Sequence, residues 1–272
     1  MIQPPLLDSE VAMTAAAAEL HDAQALLTPG RDAPLDLTIF ISCHNEEPYI
    51  VKTMETVRAA LAEVGGARYE IIVIDDCSRD RSPDIVEEYI RSHPQDRIVL
   101  RRNKINRGLA QNYLDAAFMG KGKYYRLICG DDAEPHDTMV AVFRALGEAD
   151  ILIPYYVSSE GKSLYRRVLS NAYSYLVNAF SGFRLHYYNG LAVHLRYNVM
   201  RWHPNTRGFG FQADIICMLL DQKFTYKEIP VTTIERRKGA SNALAFKNLL
   251  SVAHTLIDIV VRRISNRVYR GH

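Results

Sequence analysis

The chain lacks the features of a disulfide-rich, nucleic-acid-binding or membrane-spanning protein. Its four cysteines, Cys43, Cys77, Cys129 and Cys217, stand far apart without metal-ligand spacing, so we expect reduced, buried thiols. A net charge of +2 over 272 residues provides no global field that would favour nucleic acid. No apolar run approaches the roughly 20 residues that cross a bilayer, and the start of the chain does not resemble a secretory signal. We therefore expect a cytoplasmic protein whose membrane contact, if it exists, is peripheral.

What the chain does contain is a regular alternation of strand and helix patterns. The predicted strands cover residues 37–42, 70–75, 97–101, 124–129, 150–154 and 226–234. The predicted helices cover residues 46–64, 82–92, 108–119, 136–147, 163–180 and 209–220. Such alternation predicts an α/β fold with a mostly parallel central sheet and helices on both faces.

The chain is predicted to have three segments. Residues 1–34 form an alanine-rich helix and linker, residues 35–241 the α/β domain, and residues 242–272 an amphipathic basic helix. The apolar residues of that last helix recur at i+3 and i+4 and include Leu256, Ile257, Val260 and Ile264. Two fates are open for it: packing on the domain or on a second subunit as a homodimer, or contact with an anionic membrane surface.

Two acidic doublets, Asp75-Asp76 and Asp131-Asp132, each follow an apolar strand pattern. The carboxyl ends of parallel strands are where open α/β folds bind ligands. Carboxylates without a cysteine or histidine cage suit a hard cation, Mg²⁺ or Mn²⁺, that holds a diphosphate. The alternatives are a solvated strand end for Asp75 and Asp76, and a helix N-cap, for which Asp132 is the candidate.

Six segments in order resemble the inverting family 2 glycosyltransferases of the GT-A fold, particularly the dolichyl- and polyprenyl-phosphate sugar transferases. The matching segments are residues 41–47, 74–80, 106–109, 130–135, 211–214 and 236–242. The resemblance covers residues 36 to about 255. It departs from the family pattern at one point: with Pro135 aligned, Cys129 takes the place of the first aspartate of the Asp-x-Asp motif.

The resemblance implies a role for each matched residue. Asp131 is the principal metal ligand, assisted by Asp132 or Glu134. The nucleotide sugar is bound by Ser42, His44, Glu46, Asp75, Asp76, Asn106, Gly130 and Asp131. The residues that contact phosphates or the acceptor are Gln212, Arg236, Arg237 and Ser241. Asp214 is the candidate base.

The activity that the resemblance implies is inverting transfer of a hexosyl group from a GDP- or UDP-linked sugar. A polyprenyl phosphate or other membrane-proximal acceptor is expected, and a lipid phosphate is already anionic and needs no base. A glycan or other hydroxyl acceptor would instead require Asp214 as the base. A third alternative, a non-catalytic nucleotide-sugar-binding relative, is kept open by Cys129. A nucleotidyltransferase would show a glycine-rich basic loop where this chain has residues 43–46.

Overall fold

The structure, a computed structural model, describes residues 34–160, 164–203, 210–234 and 246–269. Its strands are β1 (Leu37–Cys43), β2 (Tyr69–Asp75), β3 (Ile98–Arg102), β4 (Tyr124–Cys129), β5 (Ile151–Glu160), β6 (Val193–Leu195) and β7 (Tyr226–Ile234). Its helices are α1 (Ile50–Val64), α2 (Ser82–Ser92), α3 (Leu109–Met119), α4 (His136–Arg144), α5 (Leu164–Ser181), α6 (Arg196–Met200), α7 (Phe211–Asp221) and α8 (Phe246–Tyr269). The predicted N-terminal helix and three predicted site residues, Arg236, Arg237 and Ser241, lie outside the described residues.

The described strands form one sheet in the order β3-β2-β1-β4-β6-β5-β7. β1 pairs in parallel with β2 and β4, and β2 with β3, while β6 runs antiparallel between β4 and β5. β5 pairs in parallel with β7. The prediction of a mostly parallel α/β sheet is therefore confirmed.

Two elements were not predicted from the sequence, the short strand β6 and the short helix α6. Three residues are too few to show a period, and β6 exists because Val193 and His194 pair with β4 and β5. The first helix also begins at Ile50 rather than at Glu46. The residues before it form a loop at the sheet edge instead.

Both faces of the central strands are buried, as the continuous apolar runs predict. On one face Ile39 and Ile41 of β1 pack in the cluster that contains Met54 of α1. On the other face Phe40 packs in a cluster with Tyr113 of α3 and residues of α7. This two-sided core holds the ends of β1, β2 and β4 in fixed register.

The C-terminal helix α8 contacts α5 and α7. Its predicted apolar face is only partly the buried one. Among the side chains that the structure describes, Thr255 and Ile259 are fully buried and the predicted Leu256 packs against the core, whereas the predicted Ile257 and Ile264 are 59% and 57% exposed. In the part of the chain that the structure describes, no helix is long and apolar enough to span a bilayer.

Candidate functional site

The loops that follow β1, β2 and β4 meet at one edge of the sheet. The strands are adjacent and parallel, and Cys43 pairs with Asp75 while Ser42 pairs with Cys129. Their carboxyl ends therefore lie side by side. This register brings the predicted nucleotide-binding and metal-binding segments together.

Each of these three loops contains a residue with left-handed backbone geometry. Asn45, Cys77 and Asp132 have φ values of +56°, +66° and +51°. Asparagine and aspartate tolerate this region better than most residues. The chain turns sharply at each position and presents backbone and side-chain groups along the edge.

The loops after β1 and β2 are joined by hydrogen bonds. The Asn45 N–H donates to Ser78 Oγ at 2.9 Å, and the Arg79 N–H donates to Asn45 Oδ1 at 2.8 Å. The Glu47 N–H donates to Asp80 Oδ2 at 3.1 Å. The serine and the last aspartate of the segment 74–80 thus hold the two loops together.

Asp76 is a structural anchor for the loop that leads into α3. Its Oδ1 accepts from the Arg107 N–H at 2.8 Å and from Asn103 Nδ2 at 2.9 Å, and its Oδ2 accepts from the Gly108 N–H at 2.9 Å. Burial opposes ionisation, but these hydrogen bonds outweigh it and lower the pKa of Asp76. Both of its carboxylate oxygens are occupied within the protein.

Asp75 has a different environment. It is only 3% exposed, and its Oδ2 accepts from the Ser78 N–H at 3.3 Å. Its Oδ1 is buried and has no hydrogen-bond partner among the described residues. Burying a carboxylate oxygen without a hydrogen-bond partner destabilises the protein. A ligand that donates a hydrogen bond to this oxygen would remove that cost.

A cavity of about 500 Å³ lies beside these loops. It is lined by His44, Asn45, Cys77, Arg79, Lys104, Ile105 and Asn106. His44 Nδ1 and Asn106 Nδ2 donate to the Asp76 carbonyl oxygen at 3.0 and 3.3 Å, which fixes both side chains at the cavity wall. His44 and Asn106 were both predicted as nucleotide-binding residues.

Gly130 allows the loop after β4 to pack against β1 and the residues before α1. Its N–H donates to the Ser42 carbonyl oxygen at 2.9 Å. A Cβ at this position would lie 2.7 Å from that oxygen and 3.5 Å from Glu46 Cγ. Glu46 is itself buried, and its N–H donates to Ser82 Oγ at 2.9 Å.

The two aspartates of the second doublet face different surroundings. Asp132 is 2% exposed and lies against α1, where Lys52 Nζ is 3.1 Å from Oδ2 and Thr56 Oγ1 is 3.4 Å from Oδ1. Asp131 is half-buried, and its Oδ1 accepts from the Ala133 N–H at 3.3 Å. The predicted capping role of Asp132 is wrong, because Pro135 is the N-cap of α4 and no side chain caps it.

Cys129 is a poor ligand for a hard cation. Burial, and then the neighbouring Asp131 carboxylate, raise the pKa of its thiol to about 12, so it stays protonated at neutral pH. Among the described residues, no group of three or more histidine, cysteine, aspartate or glutamate side chains could hold a metal ion. Mg²⁺ nevertheless commonly uses one or two carboxylates together with substrate phosphates, and Asp131 fits that arrangement.

Sequence reasoning missed Arg126, a buried arginine within the apolar strand β4. It forms an ion pair with Glu134, four residues after Gly130. A charged residue inside an otherwise apolar strand pattern is the signal that could have identified it.

Asp214 and Gln212 lie at the start of α7, and both are buried. Trp202 Nε1 donates to Asp214 Oδ2 at 2.7 Å, and Arg262 Nη1 of α8 donates to Asp214 Oδ1 at 2.6 Å. Gln212 lies near His194, and burial lowers the pKa of that histidine to about 4. Within the described residues, no hydrogen bond joins Gln212 or Asp214 to the loops after β1, β2 and β4.

Comparison with known sequences identifies a family. Residues 38–202 match the family model described as Glycosyl transferase family 2. The chain is 24% identical over 242 residues to the dolichol-phosphate mannosyltransferase of Saccharomyces cerevisiae. This alignment covers 84% of the chain and 88% of the yeast protein. Other curated relatives are matched over a smaller part of their length. The matched part is 34% of the Putative glycosyltransferase EpsH of Bacillus subtilis and 27% of an uncharacterized protein of Mycobacterium bovis.

Solved structures share the fold. The mannosyltransferase PcManGT from Pyrobaculum calidifontis, in complex with GDP-Man and Mn²⁺, has a TM-score of 0.59 at 17% identity, covering 91% of this chain and 75% of that chain. Glucosyl-3-phosphoglycerate synthase from Mycobacterium tuberculosis, in complex with Mn²⁺, UDP and glucosyl-3-phosphoglycerate, has a TM-score of 0.61 at 15% identity, covering 96% and 86%. At these identities the likeness concerns the fold alone, and it confirms the predicted GT-A architecture.

Proposed function

Because the chain belongs to glycosyl transferase family 2, we propose that it transfers a hexosyl group, with inversion, from a nucleotide-diphosphate sugar to a lipid phosphate. The acceptor is a polyprenyl phosphate or a similar membrane-proximal group. The observation that carries the proposal is the meeting of Asp75, the adjacent cavity and Asp131 at one edge of the sheet. The two structural neighbours that were solved with Mn²⁺ and a nucleotide or nucleotide sugar support the donor class.

The nucleoside occupies the cavity beside the loop after β2. Asp75 Oδ1, buried and without a partner among the described residues, accepts an N–H or O–H from the base or ribose. Asp76 acts indirectly, because its carboxylate holds the Arg107 and Gly108 N–H groups and its carbonyl holds His44 and Asn106. Asp75 is thus a contact residue, and Asp76 keeps the cavity wall in place.

Asp131 is the residue that holds a divalent cation at the diphosphate. When bound, Mg²⁺ or Mn²⁺ neutralises the charge that develops on the leaving phosphate. Gly130 contributes by letting the loop lie close to Ser42, so that Asp131 follows β4 without a bulge outward. Arg236, Arg237 and Ser241 complete the proposal as a basic loop over the phosphates, on the resemblance of their sequence alone.

The environment of Asp214 supports an anionic acceptor that needs no base. Its two carboxylate oxygens accept hydrogen bonds from Trp202 and Arg262, so the group is held as an ion-paired carboxylate inside the protein. A general base must be able to reach the proton that it removes. A lipid phosphate is already anionic at neutral pH and can attack without a base, and Gln212 and Asp214 would then shape the acceptor end.

Exposed apolar side chains on α5 and α8 support an acceptor in a membrane. On α5 they recur at helical spacing as Tyr165, Val168, Tyr175, Leu176 and Phe180. On α8 they recur as Ile257, Val261, Ile264 and Val268. We call these two sets the apolar stripes. The two helices contact each other. Arg262 is paired with Asp214 within the protein, and the other charged residues of the two helices are mostly basic: Arg166, Arg167, Lys247, Asp258, Arg263 and Arg267. This composition is complementary to an anionic lipid surface.

Thermal unfolding with GDP, UDP and their sugar conjugates, each with and without Mn²⁺, tests the donor site. A ligand at about 100 times its Kd adds roughly 3 kcal/mol of apparent stability, so we expect a clear rise in Tm with one nucleotide and a further rise with Mn²⁺. Asp131→Asn is expected to remove the Mn²⁺-dependent part. Asp137→Asn, a fully exposed aspartate on α4, is the matched control and is expected to keep it.

The same experiment separates the proposal from its alternatives. No shift with any nucleotide would refute the donor site. A shift without sugar transfer to dolichyl phosphate or to a saccharide would indicate a nucleotide-sugar-binding relative, which Cys129 at the metal motif makes a specific alternative. Transfer to a saccharide hydroxyl that is lost in Asp214→Asn would return Asp214 to the role of base.

A further inference from the structure

We infer that the wall of the cavity selects the base of the donor and that Arg79 and Lys104 are the specificity-determining residues. The base that fits these two cations is guanine, because it offers two neighbouring hydrogen-bond acceptors, O6 and N7. The inference rests on the proposed function, since it concerns the nucleotide of the donor. It goes beyond that function by choosing between GDP and UDP, which the family resemblance leaves open.

The order of the strands places the cavity at the nucleoside end of the donor. The cavity is lined by residues of the loops after β1, β2 and β3, whereas Asp131 follows β4. Neighbouring strands are about 4.8 Å apart, so β2 lies roughly 10 Å and β3 roughly 14 Å from β4 in this sheet. A diphosphate held at Asp131 therefore leaves the base of an extended nucleotide at the cavity.

Arg79 and Lys104 differ from the other basic residues near them. Four arginines of the same region form ion pairs with carboxylates: Arg81 with Glu88, Arg101 and Arg107 with Asp115, and Arg102 with Asp84 and Glu87. Arg79 and Lys104 both line the cavity, and neither forms an ion pair within the part of the chain that the structure describes. Their charged groups are therefore free to donate to a ligand.

The two residues belong to loops that contact each other. The Cys77 thiol, two residues before Arg79, donates to the Lys104 carbonyl oxygen at 3.7 Å. The Arg79 N–H donates to Asn45 Oδ1 at 2.8 Å. The backbone at both positions is thus held, while the Arg79 and Lys104 side chains remain exposed at the wall. Donors from two adjacent loops can reach adjacent acceptors of one ligand.

The chemistry of the wall favours a base with paired acceptors. Among the described residues that line the cavity there is no carboxylate, and the permanently charged side chains are those of Arg79 and Lys104. Arginine or lysine donating to O6 and N7 is the commonest specific contact to guanine. Adenine presents an amino donor beside N7, and uracil presents a C–H beside O4, so each offers these cations a single acceptor. Guanine is the base that satisfies both residues.

The test is the affinity of the full chain for GDP, 7-deaza-GDP, UDP and ADP, measured by isothermal titration calorimetry with Mg²⁺ present. We expect GDP to bind most tightly. Because 7-deaza-GDP has a C–H in place of N7, it should bind at least about fivefold more weakly, as expected for the loss of one charge-assisted hydrogen bond at an exposed site. UDP and ADP should bind at least as weakly as 7-deaza-GDP.

Substitutions of the two residues assign the effect to the wall. In Arg79→Met and Lys104→Met the donors are removed, whereas the backbone contacts at both positions stay in place. In one of these variants GDP and 7-deaza-GDP should bind equally, because the partner of N7 is missing. In the double variant GDP should lose its advantage over UDP. Lys121→Met is the matched control, because it changes an exposed lysine before β4, at the opposite end of the sheet, and it should keep the preference for GDP.

The outcomes separate the inference from the function on which it rests. If UDP or ADP binds as tightly as GDP, or if 7-deaza-GDP binds as GDP does, the inference is overturned and the donor site stands. If the variants weaken all four diphosphates by the same factor, Arg79 and Lys104 contact phosphate rather than the base, and the inference also fails. If the unaltered protein binds no nucleotide under any condition, the proposed function and the inference fail together.

Discussion

At the scale of single residues, neighbouring aspartates in each doublet have opposite tasks. The Asp76 carboxylate is held by backbone N–H groups, and the Asp132 carboxylate by Lys52 and the Thr56 hydroxyl. Asp75 retains a buried oxygen without a described partner, and Asp131 is half-buried at the loop. Successive side chains at the end of a strand point in different directions, so a doublet supplies one anchor and one contact residue.

This division predicts different effects for two conservative substitutions. Asp76→Asn places an amide against donors and is expected to lower the free energy of unfolding by about 1–3 kcal/mol. Asp75→Asn should change stability little and weaken nucleotide binding instead. Urea unfolding and nucleotide titration of both variants measure the two effects. Equal stability losses in the two variants would contradict the division.

The contribution of Asp76 to the stability of the fold depends on pH in a defined direction. Because hydrogen bonds lower the pKa of folded Asp76 below its ordinary 3.8, its contribution to stability is present above that value. It is lost as the pH falls through the lower, folded pKa. The effect of Asp76→Asn on stability should therefore shrink in strongly acidic buffer.

At the scale of secondary-structure elements, α8 is attached to α7 by a charged contact in addition to apolar packing. Arg262 donates to the Asp214 carboxylate at 2.6 Å, and its Nε lies 3.5 Å from Asp221 Oδ2. The Arg262 side chain is 24% exposed and that of Asp214 10%. The C-terminal helix and the start of α7 are thus coupled, and Trp202 shares the same carboxylate.

Removing either partner of this contact is expected to destabilise the protein. Arg262→Met or Asp214→Asn should lower the free energy of unfolding by about 1–3 kcal/mol. This loss is smaller than that expected for a fully buried ion pair, because Arg262 is partly exposed to solvent. A double-mutant cycle should show a coupling of roughly 0.5–3 kcal/mol. Arg144→Met, which breaks an exposed pair with Glu63, is the control and should cost no more than about 1 kcal/mol. Unchanged stability in Asp214→Asn, together with lost sugar transfer, would support a catalytic base instead.

At the scale of the whole molecule, the apolar stripes leave large apolar side chains of α5 and α8 exposed. Single exposed apolar residues are ordinary, but exposed apolar residues that recur at helical spacing on two touching helices indicate an interaction site. The basic residues of both helices favour anionic lipid as that partner. This surface would bring the site to the bilayer in which a lipid-phosphate acceptor resides.

Flotation with phosphatidylglycerol-containing vesicles tests this surface. We expect binding that weakens as salt rises, because exposed charges are screened. The variant Tyr175→Ser/Val261→Ser should bind at least roughly tenfold more weakly, since each exposed apolar side chain that inserts is worth about 1 kcal/mol or more. Phe118→Ser, which removes an exposed apolar side chain of α3 outside the apolar stripes, is the control and should bind normally. Equal binding by the stripe variant, or a dimer that the variant dissociates, would contradict the lipid assignment.

The sequence by itself determined the framework of this protein. Apolar runs ending in acidic doublets predicted both the strands β2 and β4 and the edge at which their ends meet. These predictions follow from periodicity and chain order, which are local properties of a sequence. The register that places Asp75 beside Cys43 and Cys129 beside Ser42 was not predicted, because it depends on which strands pair.

The tertiary structure decided which side chains of that framework face the site. Asp132 lies against Thr56, 76 residues away, and Asp214 against Arg262, 48 residues away. Neither pairing has a local signal, and the same holds for the phase of α8 and for the three-residue strand β6. Arg126 and Glu134 are only eight residues apart, but their pairing depends on the turn between them. Contacts between distant segments and the backbone geometry of a loop arise only when the chain is packed, and they select among residues that the sequence presents as equivalent.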